Sequence, residues 1–423
     1  FHEKSVCYVI CIFTKFHFEY FVASNCKAIK CFIIEVISNY KCMRLLFTCL
    51  FISILSNTDT IAQTPDVYAD LIPLCHTLGT EKTLVGLGES THGTAEFTTI
   101  RAEIVKQLVT KYNYRVFILE AEFATCEKMN KYLHSGEGNL DSLMLDLRFF
   151  PWVHEDFKVL LEWMMNYNLV HPENGVRFYG MDAQYSKLYA QKDTIIKYYP
   201  NEGKQLFQII EGNTSPKQKI RDIKQLSNSL ALASNTIDLR LQYFITCQLN
   251  KLSATTFNTN TYRDENMAQF VKWIYQNAGD TTKMIIWAHN GHLKKQGGKP
   301  MGQYLGDAYG DKYAAVGLDF KEGAFLAVDY DAVADRKLVD MTLNPIVKTI
   351  AADIKFGDKS IAIIQCDTLK HNGYINAIGA IYVKQPEKKA AFYNKLQRNK
   401  QFDYLIVTKV STPIQLLPQY LNE

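Results

Sequence analysis

This 423-residue sequence lacks three features that identify common classes of protein. No two cysteines form a CxxC pair, which argues against zinc ribbons and thioredoxin-like redox sites. Lysine and arginine are interspersed with acidic residues to a net charge of +4, without the basic stripe typical of nucleic-acid binders. A membrane-spanning helix needs about 20 successive apolar residues, and no such run occurs. We therefore expect neither a nucleic-acid partner nor a stable membrane span in the mature chain.

The first 63 residues differ from the rest. Residues 1–42 hold five of the ten cysteines among aromatic clusters, and we interpret them as a non-native or disordered extension. Met43-Arg44 then begins a short apolar run to Leu55, followed by small residues up to Ala62. This pattern predicts a signal peptide over residues 43–63, with a buried N-terminal helix as the alternative. The mature protein is then expected to be periplasmic or secreted.

Several short β-type runs end in polar residues. The first leads into Glu89, and the others end at Glu120, Asp182 and His289. A helical apolar pattern over residues 95–112 lies between the first two runs. Strand, helix and strand in this order indicate a βαβ unit and a parallel sheet. Ligand sites of such sheets gather beyond the carboxyl ends of the strands, so these four residues are predicted to meet at one edge.

The strand pattern lapses over residues 186–277, where amphipathic stretches such as Ile220–Thr246 take over. We interpret this region as a helical insertion that divides a catalytic core into residues 64–185 and 278–423. β-type runs return after His292, and they are Ala314–Leu318, Phe325–Val328, Ile361–Ile364, Ile378–Val383 and Tyr404–Val407. The hairpin-like spacing in this half favours a mixed sheet. The predicted fold class is α/β, with a three-layer core, a mostly parallel but mixed sheet and an inserted helical region.

The most informative segment runs from Gly88 to Phe97, with the sequence GESTHGTAEF. Gly88 and Gly93 are expected to free the backbone for a sharp turn, and Thr94 to cap the following helix. Histidine is the side chain that accepts a proton near neutral pH, and Glu89 could orient His92. Taken alone, a histidine on a surface turn is the commoner explanation. The nucleophile pattern G-x-S-x-G fails, because His92 occupies its last glycine position.

A second segment holds His289 and His292, which could serve one site as metal ligands or as hydrogen-bonding electrophiles. The spacing is not the H-E-x-x-H of zincins, so we favour a metal-free cluster without a cofactor and leave a metal open. Arg101 could pair with Glu89 or Glu120. Arg263-Asp264 fits an ordinary charged helix start.

In these motifs the chain resembles the erythromycin esterase family. The resemblance covers roughly residues 66–410 and rests on the segment around His92, on Glu120, on Arg263-Asp264 with Met267-Ala268, and on Trp287–His292. It implies an α/β core with a helical insertion. It also implies hydrolytic opening of a macrolide lactone or related ester, and with it macrolide resistance. A water-activating histidine, here His92, would act without an acyl-enzyme. The family's other site positions are occupied by Glu89, Arg101, Glu120, His289 and His292.

Three functions remain open from the sequence. The first is a metal-free hydrolase of a small-molecule ester or macrolide, and the second a metal-dependent hydrolase of another ester that uses the same residues. The third is a non-catalytic periplasmic binding protein that keeps the pocket. Because a buried cluster of charged residues is costly to retain without a use, the sequence favours an enzyme. The sequence does not indicate an oligomeric state.

Overall fold

The protein is described by a computed structural model over the following residues: 67–184, 191–257, 262–279, 281–329, 337–344, 349–382, 392–397 and 400–422. The predicted extension (1–42) and signal peptide (43–63) lie outside the described residues. Among the helices that are described, none is long and apolar enough to cross a membrane.

The core is a mixed, mostly parallel sheet of nine strands. The strands are β1 (Leu84–Leu87), β2 (Tyr114–Glu122), β3 (Arg177–Asp182), β4 (Lys283–Trp287), β5 (Tyr313–Asp329), β6 (Leu338–Leu343), β7 (Ile361–Gln365), β9 (Ile381–Tyr382) and β11 (Tyr404–Ser411). The order is β3-β2-β4-β1-β5-β11-β7, and β6 and β9 add to β5. Strands β3 to β11 in this order are parallel neighbours, whereas β7 and β6 run antiparallel. A separate antiparallel ribbon pairs β8 (Gly373–Asn376) with β10 (Tyr393–Leu396).

Both faces of the sheet are buried, because successive side chains of its central strands enter two different apolar clusters. In β4, Ile285 and Trp287 join one apolar cluster, whereas Met284 and Ile286 join a second cluster. Because successive side chains of a strand point to opposite faces, the two clusters are the two helix-covered faces of the sheet. The predicted three-layer α/β fold is thus confirmed.

The helices divide between the two faces. They are α1 (Val67–Glu81), α2 (Ala95–Tyr112), α3 (Phe123–Ser135), α4 (Leu140–Leu145), α5 (Glu155–Val170), α6 (Lys192–Tyr198), α7 (Pro200–Glu211), α8 (Pro216–Leu232), α9 (Leu239–Phe257), α10 (Arg263–Ala278), α11 (Asn290–Leu293), α12 (Met301–Tyr309) and α13 (Ile350–Asp353). Apolar residues of α1, α2 and α5 belong to the first cluster, and those of α7 to α10 to the second. The helices between β3 and β4 form the expected insertion.

The structure divides one predicted stretch and joins two predicted runs. The amphipathic stretch Ile220–Thr246 covers parts of two helices, α8 and α9. The break is fixed by Asn277, whose side chain bonds both the N–H and the carbonyl of Ile237 at 2.9 and 2.7 Å. Ala314–Leu318 and Phe325–Val328, predicted as two β-type runs, are parts of the single strand β5, which pairs β1 and β11 and then β6.

The register of the strands brings the residues predicted to meet at one sheet edge close together. Leu87 of β1 and Leu119 of β2 both align with Trp287 of β4, so Glu120 of β2 comes directly after the level at which β1 and β4 end. The register of β2 against β3 shifts between Leu119 and Glu122, which opposes Asp182. Such an irregularity re-aims side chains at the end of a strand. The polar residues that follow these strands therefore lie at one carboxyl edge.

Candidate active site

The turn after β1 is tied down by three neighbouring segments. Gly88 donates its N–H to the Val316 carbonyl at 2.8 Å, and the Glu89 carbonyl accepts the N–H of Asn290 at 2.8 Å. The N–H of His92 donates to the carbonyl of Gly379 at 3.0 Å. Backbone bonds to three elements fix where the side chains of Glu89 and His92 point.

The two glycines of this turn are required because neighbouring residues approach their backbone closely, and not because their backbone angles are unusual. Neither Gly88 nor Gly93 has a positive φ. A Cβ on Gly93 would lie 1.8 Å from the Leu326 carbonyl oxygen, and a Cβ on Gly88 would lie 2.1 Å from Asn290 Oδ1. The expectation that these glycines supply conformational freedom was therefore wrong. Glycine is needed at both positions because other parts of the protein occupy the space that a side chain would fill.

Thr94 stands at the N-cap position of α2, as predicted, but its side chain makes no capping hydrogen bond. Instead, the N–H of Ala95 donates to the Thr412 carbonyl at 2.9 Å. The start of α2 is thus satisfied by the backbone that follows β11.

His92, Glu89 and Arg101 form a buried chain of hydrogen bonds. His92 Nδ1 lies 2.7 Å from Glu89 Oε1, and Arg101 Nη2 donates to Glu89 Oε2 at 2.5 Å. Burial alone would raise the pKa of Glu89, but Arg101 and His92 outweigh burial and hold this pKa below its ordinary value. Glu89 is therefore a carboxylate at neutral pH. It accepts the Nδ1–H of His92, which leaves the lone pair on Nε2.

Arg101 is held behind Glu89. Its guanidinium carbon lies 3.8 Å from the centre of the Trp287 ring, and its Nε donates to the Phe97 carbonyl at 3.1 Å. Burial lowers its pKa to about 10, although Glu89 opposes this shift. The sequence left Glu89 and Glu120 open as partners of Arg101, and in the structure the partner is Glu89. Arg101 can therefore influence His92 only through the Glu89 carboxylate.

The His92 ring lies among aromatic side chains and one further imidazole. Its ring centre is 5.5 Å from Phe149, 6.3 Å from Trp152 and 5.3 Å from His289. His92 is 8% exposed, so a small part of the ring reaches solvent from an otherwise dry site. Dry surroundings strengthen the electrostatic interactions within a site.

His289 is positioned as a neutral imidazole. Its Nδ1 accepts the N–H of Gly291 at 3.1 Å, which leaves the proton on Nε2, 3.3 Å from the Ser90 carbonyl oxygen. Burial and the neighbouring His92 lower the pKa of His289 to about 4. The Nε2 lone pair of His92 therefore belongs to a ring that lies beside a neutral N–H group of His289.

Glu120 is the centre of a second charged cluster. Its Oε1 accepts from Arg263 Nη2 at 2.7 Å, and its Oε2 accepts the backbone N–H of His289 at 2.8 Å. Arg263 also donates to both carboxylate oxygens of Asp182, at 3.2 and 2.8 Å. Burial would raise the pKa of Glu120, yet His292 and Arg263 hold it well below its ordinary value.

His292 joins the same cluster. Its Nδ1 lies 2.8 Å from Asp264 Oδ1 and its Nε2 lies 3.2 Å from Glu120 Oε1. Burial and Arg263, whose Nη1 is 2.8 Å from Nε2, disfavour the imidazolium. The two carboxylates outweigh both effects and raise the pKa of His292 to about 10. His292 and Arg263 are thus held side by side near His289 by the carboxylates of Glu120, Asp182 and Asp264.

All six residues predicted from the sequence lie around this sheet edge, in two neighbouring clusters joined by His289. Asp182, predicted to reach the same edge, lies there too. Two further residues were missed as site residues: Arg263 and Asp264. Arg263 and Asp264 were interpreted as a charged helix start, although the motif resemblance included them. Their side chains turn to the sheet edge, where they bond Glu120, Asp182 and His292.

The charged groups of the site are mostly bonded to one another. Across the part of the chain that the structure describes, no group of three or more His, Cys, Asp or Glu side chains is arranged to hold a metal ion. Among the described residues, the cysteines at positions 75, 126, 247 and 366 are buried, and none of them forms a disulfide.

The fold and site define an α/β protein with a histidine–carboxylate centre at the carboxyl edge of its sheet. A model of the erythromycin esterase family matches residues 109–255 and 233–411. The chain belongs to the erythromycin esterase family. The matched residues contain Glu120, Arg263 and His292, whereas the Glu89–Arg101 segment lies just before them. Family membership supports hydrolysis of a small molecule as the class of activity.

Individual proteins agree with the family assignment. Erythromycin esterase type II of Escherichia coli is 22% identical over 311 residues, which cover 61% of this chain and 73% of that protein. A Bacillus cereus protein of solved structure superposes with a TM-score of 0.64 at 22% identity, over 83% of this chain and 93% of that one. An erythromycin esterase variant in its open conformation superposes with a TM-score of 0.60 at 18% identity, over 82% and 95% of the two chains. These solved structures share the fold.

Proposed function

We propose that this protein hydrolyses a small-molecule carboxylic ester with water activated by His92. The observation that carries the proposal is the 2.7 Å contact between His92 Nδ1 and Glu89 Oε1. A carboxylate on Nδ1 fixes the tautomer, so that Nε2 is the free base. Nε2 of His92 also faces Gly379, because a Cβ built on Gly379 would lie 4.0 Å from it and 3.9 Å from His289 Nε2.

The reaction follows from this arrangement. Nε2 of His92 takes a proton from water while the water oxygen attacks the ester carbonyl carbon. Glu89 balances the imidazolium that forms. The tetrahedral intermediate then collapses, the bond to the alcohol oxygen breaks, and His92 returns the proton to that oxygen. A carboxylic acid and an alcohol leave, and at no step is the acyl group bonded to the protein.

The negative charge on the carbonyl oxygen needs a donor. His289 Nε2–H is well suited because its bond to the Ser90 carbonyl is long, at 3.3 Å, and is readily exchanged for an oxyanion. Glu120 of the neighbouring cluster accepts the backbone N–H of His289 and so helps to hold this donor in place. A preorganised donor of this kind contributes about 3 kcal/mol to transition-state stabilisation. Arg101 is too deeply buried behind Glu89 to contact the oxyanion itself.

The proposed substrate is a macrolide lactone or a related ester. Support comes from membership of the erythromycin esterase family and from the E. coli relative named erythromycin esterase type II. Macrolide resistance is the corresponding role in the cell. Secretion or a periplasmic location is proposed from the apolar run after Met43 alone.

The proposal is tested by incubating the purified protein with a panel of macrolides and simple esters and following product masses. Hydrolysis of a lactone adds the mass of one water, and intact-protein mass during turnover should show no acyl adduct. An acyl adduct would contradict direct water attack. If a macrolide binds tightly but is recovered unchanged, the protein is a binding protein instead.

A further inference from the structure

A segment far along the chain forms one side of the site. Thr91 and Gly379 are partners in a short parallel bridge. The Gly379 carbonyl accepts the His92 N–H at 3.0 Å, and the Ser90 carbonyl accepts the N–H groups of Ile378 and Gly379 at 2.7 and 3.2 Å. The sequence motifs around His92 and His289 gave no sign of this segment.

The segment is anchored by a buried pair. Asp319 of β5 accepts both the backbone N–H and the side-chain N–H of Asn376, at 3.1 and 2.7 Å. The same amide of Asn376 donates to the Phe320 carbonyl at 3.1 Å. Asp319 and Asn376 are both buried. Because the segment is bonded to β5 at one end and to the turn of His92 at the other, Gly379 cannot move away from the two imidazoles without breaking these bonds.

Gly379 lies against the reacting nitrogens. A Cβ built on it would be 4.0 Å from His92 Nε2, 3.9 Å from His92 Cδ2 and 3.9 Å from His289 Nε2. These are van der Waals distances, so a methyl group would rest on both rings at once. A water molecule takes up about 30 Å³, and a methyl group in this place would claim the volume that the water needs.

We propose that Gly379 is a specificity-determining residue, which keeps the space between His92 Nε2 and His289 Nε2 open for the attacking water and the ester carbonyl. This inference rests on the proposed function of His92. The space is set by the missing side chain of Gly379, and its walls are completed by the two imidazoles. A side chain at this position excludes one of the two reactants.

Backbone strain has to be separated from this steric effect. Gly379 has a φ of +67°, a conformation in which a residue with a Cβ costs roughly 1 kcal/mol more than glycine. Gly357 offers a matched control, because its φ is +57° and a Cβ built on it would have nothing within 4 Å. Gly357→Ala therefore carries the strain without the obstruction.

The experiment compares wild type, Gly379→Ala and Gly357→Ala by two measurements. The first is kcat/KM for the ester found in the substrate panel. The second is the rate at which diethyl pyrocarbonate modifies His92, followed by peptide mass mapping, which reports access to Nε2 without requiring turnover. We expect Gly379→Ala to lower both by about 10-fold or more, the size of effect that one misplaced carbon produces in a pocket. Gly357→Ala should leave both unchanged while lowering the melting temperature to a similar extent.

Each outcome decides the inference. If Gly379→Ala matches Gly357→Ala in either measurement, Gly379 does not control access and the proposal is wrong. If the wild type turns over no ester, the proposed function fails, and the modification rate alone decides whether Gly379 guards His92 Nε2. A slowed modification in Gly379→Ala alone would then uphold the steric role without an esterase.

Discussion

Arg263 donates from Nη2 to Glu120 Oε1 at 2.7 Å, although the two residues are 143 positions apart in the chain. Glu120 lies near the end of β2, and Arg263 begins the helix that leads into β4. The bond joins that helix to the sheet edge beside His292. The site is therefore a product of the tertiary fold and not of any one motif.

Replacing Arg263 by lysine should weaken activity while keeping the charge. Lysine cannot present the planar fork that bonds Asp182 and Glu120 together. We expect kcat/KM to fall by about 10-fold or more, because the position of Glu120, which accepts the backbone N–H of His289, changes. Steady-state kinetics measure this. The matched control is Arg240→Lys, since Arg240 bonds both oxygens of Glu127 but none of the site residues. Equal losses in the two variants would contradict a specific role for Arg263.

Replacing Glu89 by glutamine should remove catalysis and also weaken the fold. The amide no longer fixes the tautomer of His92 or balances its imidazolium, and a change of this kind in a catalytic triad costs about 10⁴-fold in kcat. The same change leaves Arg101 buried without its carboxylate, which should lower the free energy of unfolding by about 3 kcal/mol. Kinetics and urea denaturation measure the two effects.

Glu137→Gln is the control for Glu89, because Glu137 is exposed on the surface. Its activity and unfolding should match those of the wild type. A Glu89→Gln protein that retains wild-type kcat would show that His92 does not depend on this carboxylate.

The contribution of His292 to stability should depend on pH. Its folded-state pKa is raised from 6.5 to about 10, by Glu120 and Asp264 against the effect of burial. A raised pKa means that the ion pairs contribute fully below about pH 6.5 and are lost as pH rises through 10. The wild type should therefore exceed His292→Gln in free energy of unfolding most at pH 6, and the difference should shrink towards pH 10.

Urea denaturation at several pH values tests this. His371→Gln, at an exposed histidine, should change the free energy of unfolding by less than about 0.5 kcal/mol. A difference between wild type and His292→Gln that grows from pH 6 to pH 10 would mean that His292 is neutral in the folded protein.

Metal removal should leave the activity intact. The carboxylates that a cation would need are already bonded within the protein: Glu89 contacts His92 and Arg101, and Glu120 Oε1 contacts Arg263. Dialysis against EDTA should leave kcat unchanged. Loss of activity that zinc restores would instead support the metal-dependent alternative that the sequence left open.

The sequence predicted the fold class and the strands that carry the site because short apolar runs ending in polar residues are local signals. It also predicted Glu89 and His92 as partners, since their spacing places them on one turn. Signals for the broken helix were present too, because Ser234-Asn235 interrupts the apolar pattern between α8 and α9.

Other features depend on contacts that no local pattern encodes. Arg263 and Asp264 look like an ordinary charged helix start until α10 is placed against the sheet edge. Glycine is needed at position 93 because Leu326 lies against it, and Gly379 lies against His92 and His289. These contacting residues are distant in sequence. The choice of Arg101 for Glu89 over Glu120 likewise follows from packing on Trp287.

The most direct test of the account is the rate of ester hydrolysis by His92→Asn, with its fold checked by circular dichroism and His134→Asn as an exposed-histidine control. Asparagine keeps a polar side chain but cannot accept the proton of water. The account predicts a loss of about 10³-fold or more in kcat for His92→Asn alone. A His92→Asn protein that folds normally and hydrolyses the ester at the wild-type rate would contradict it.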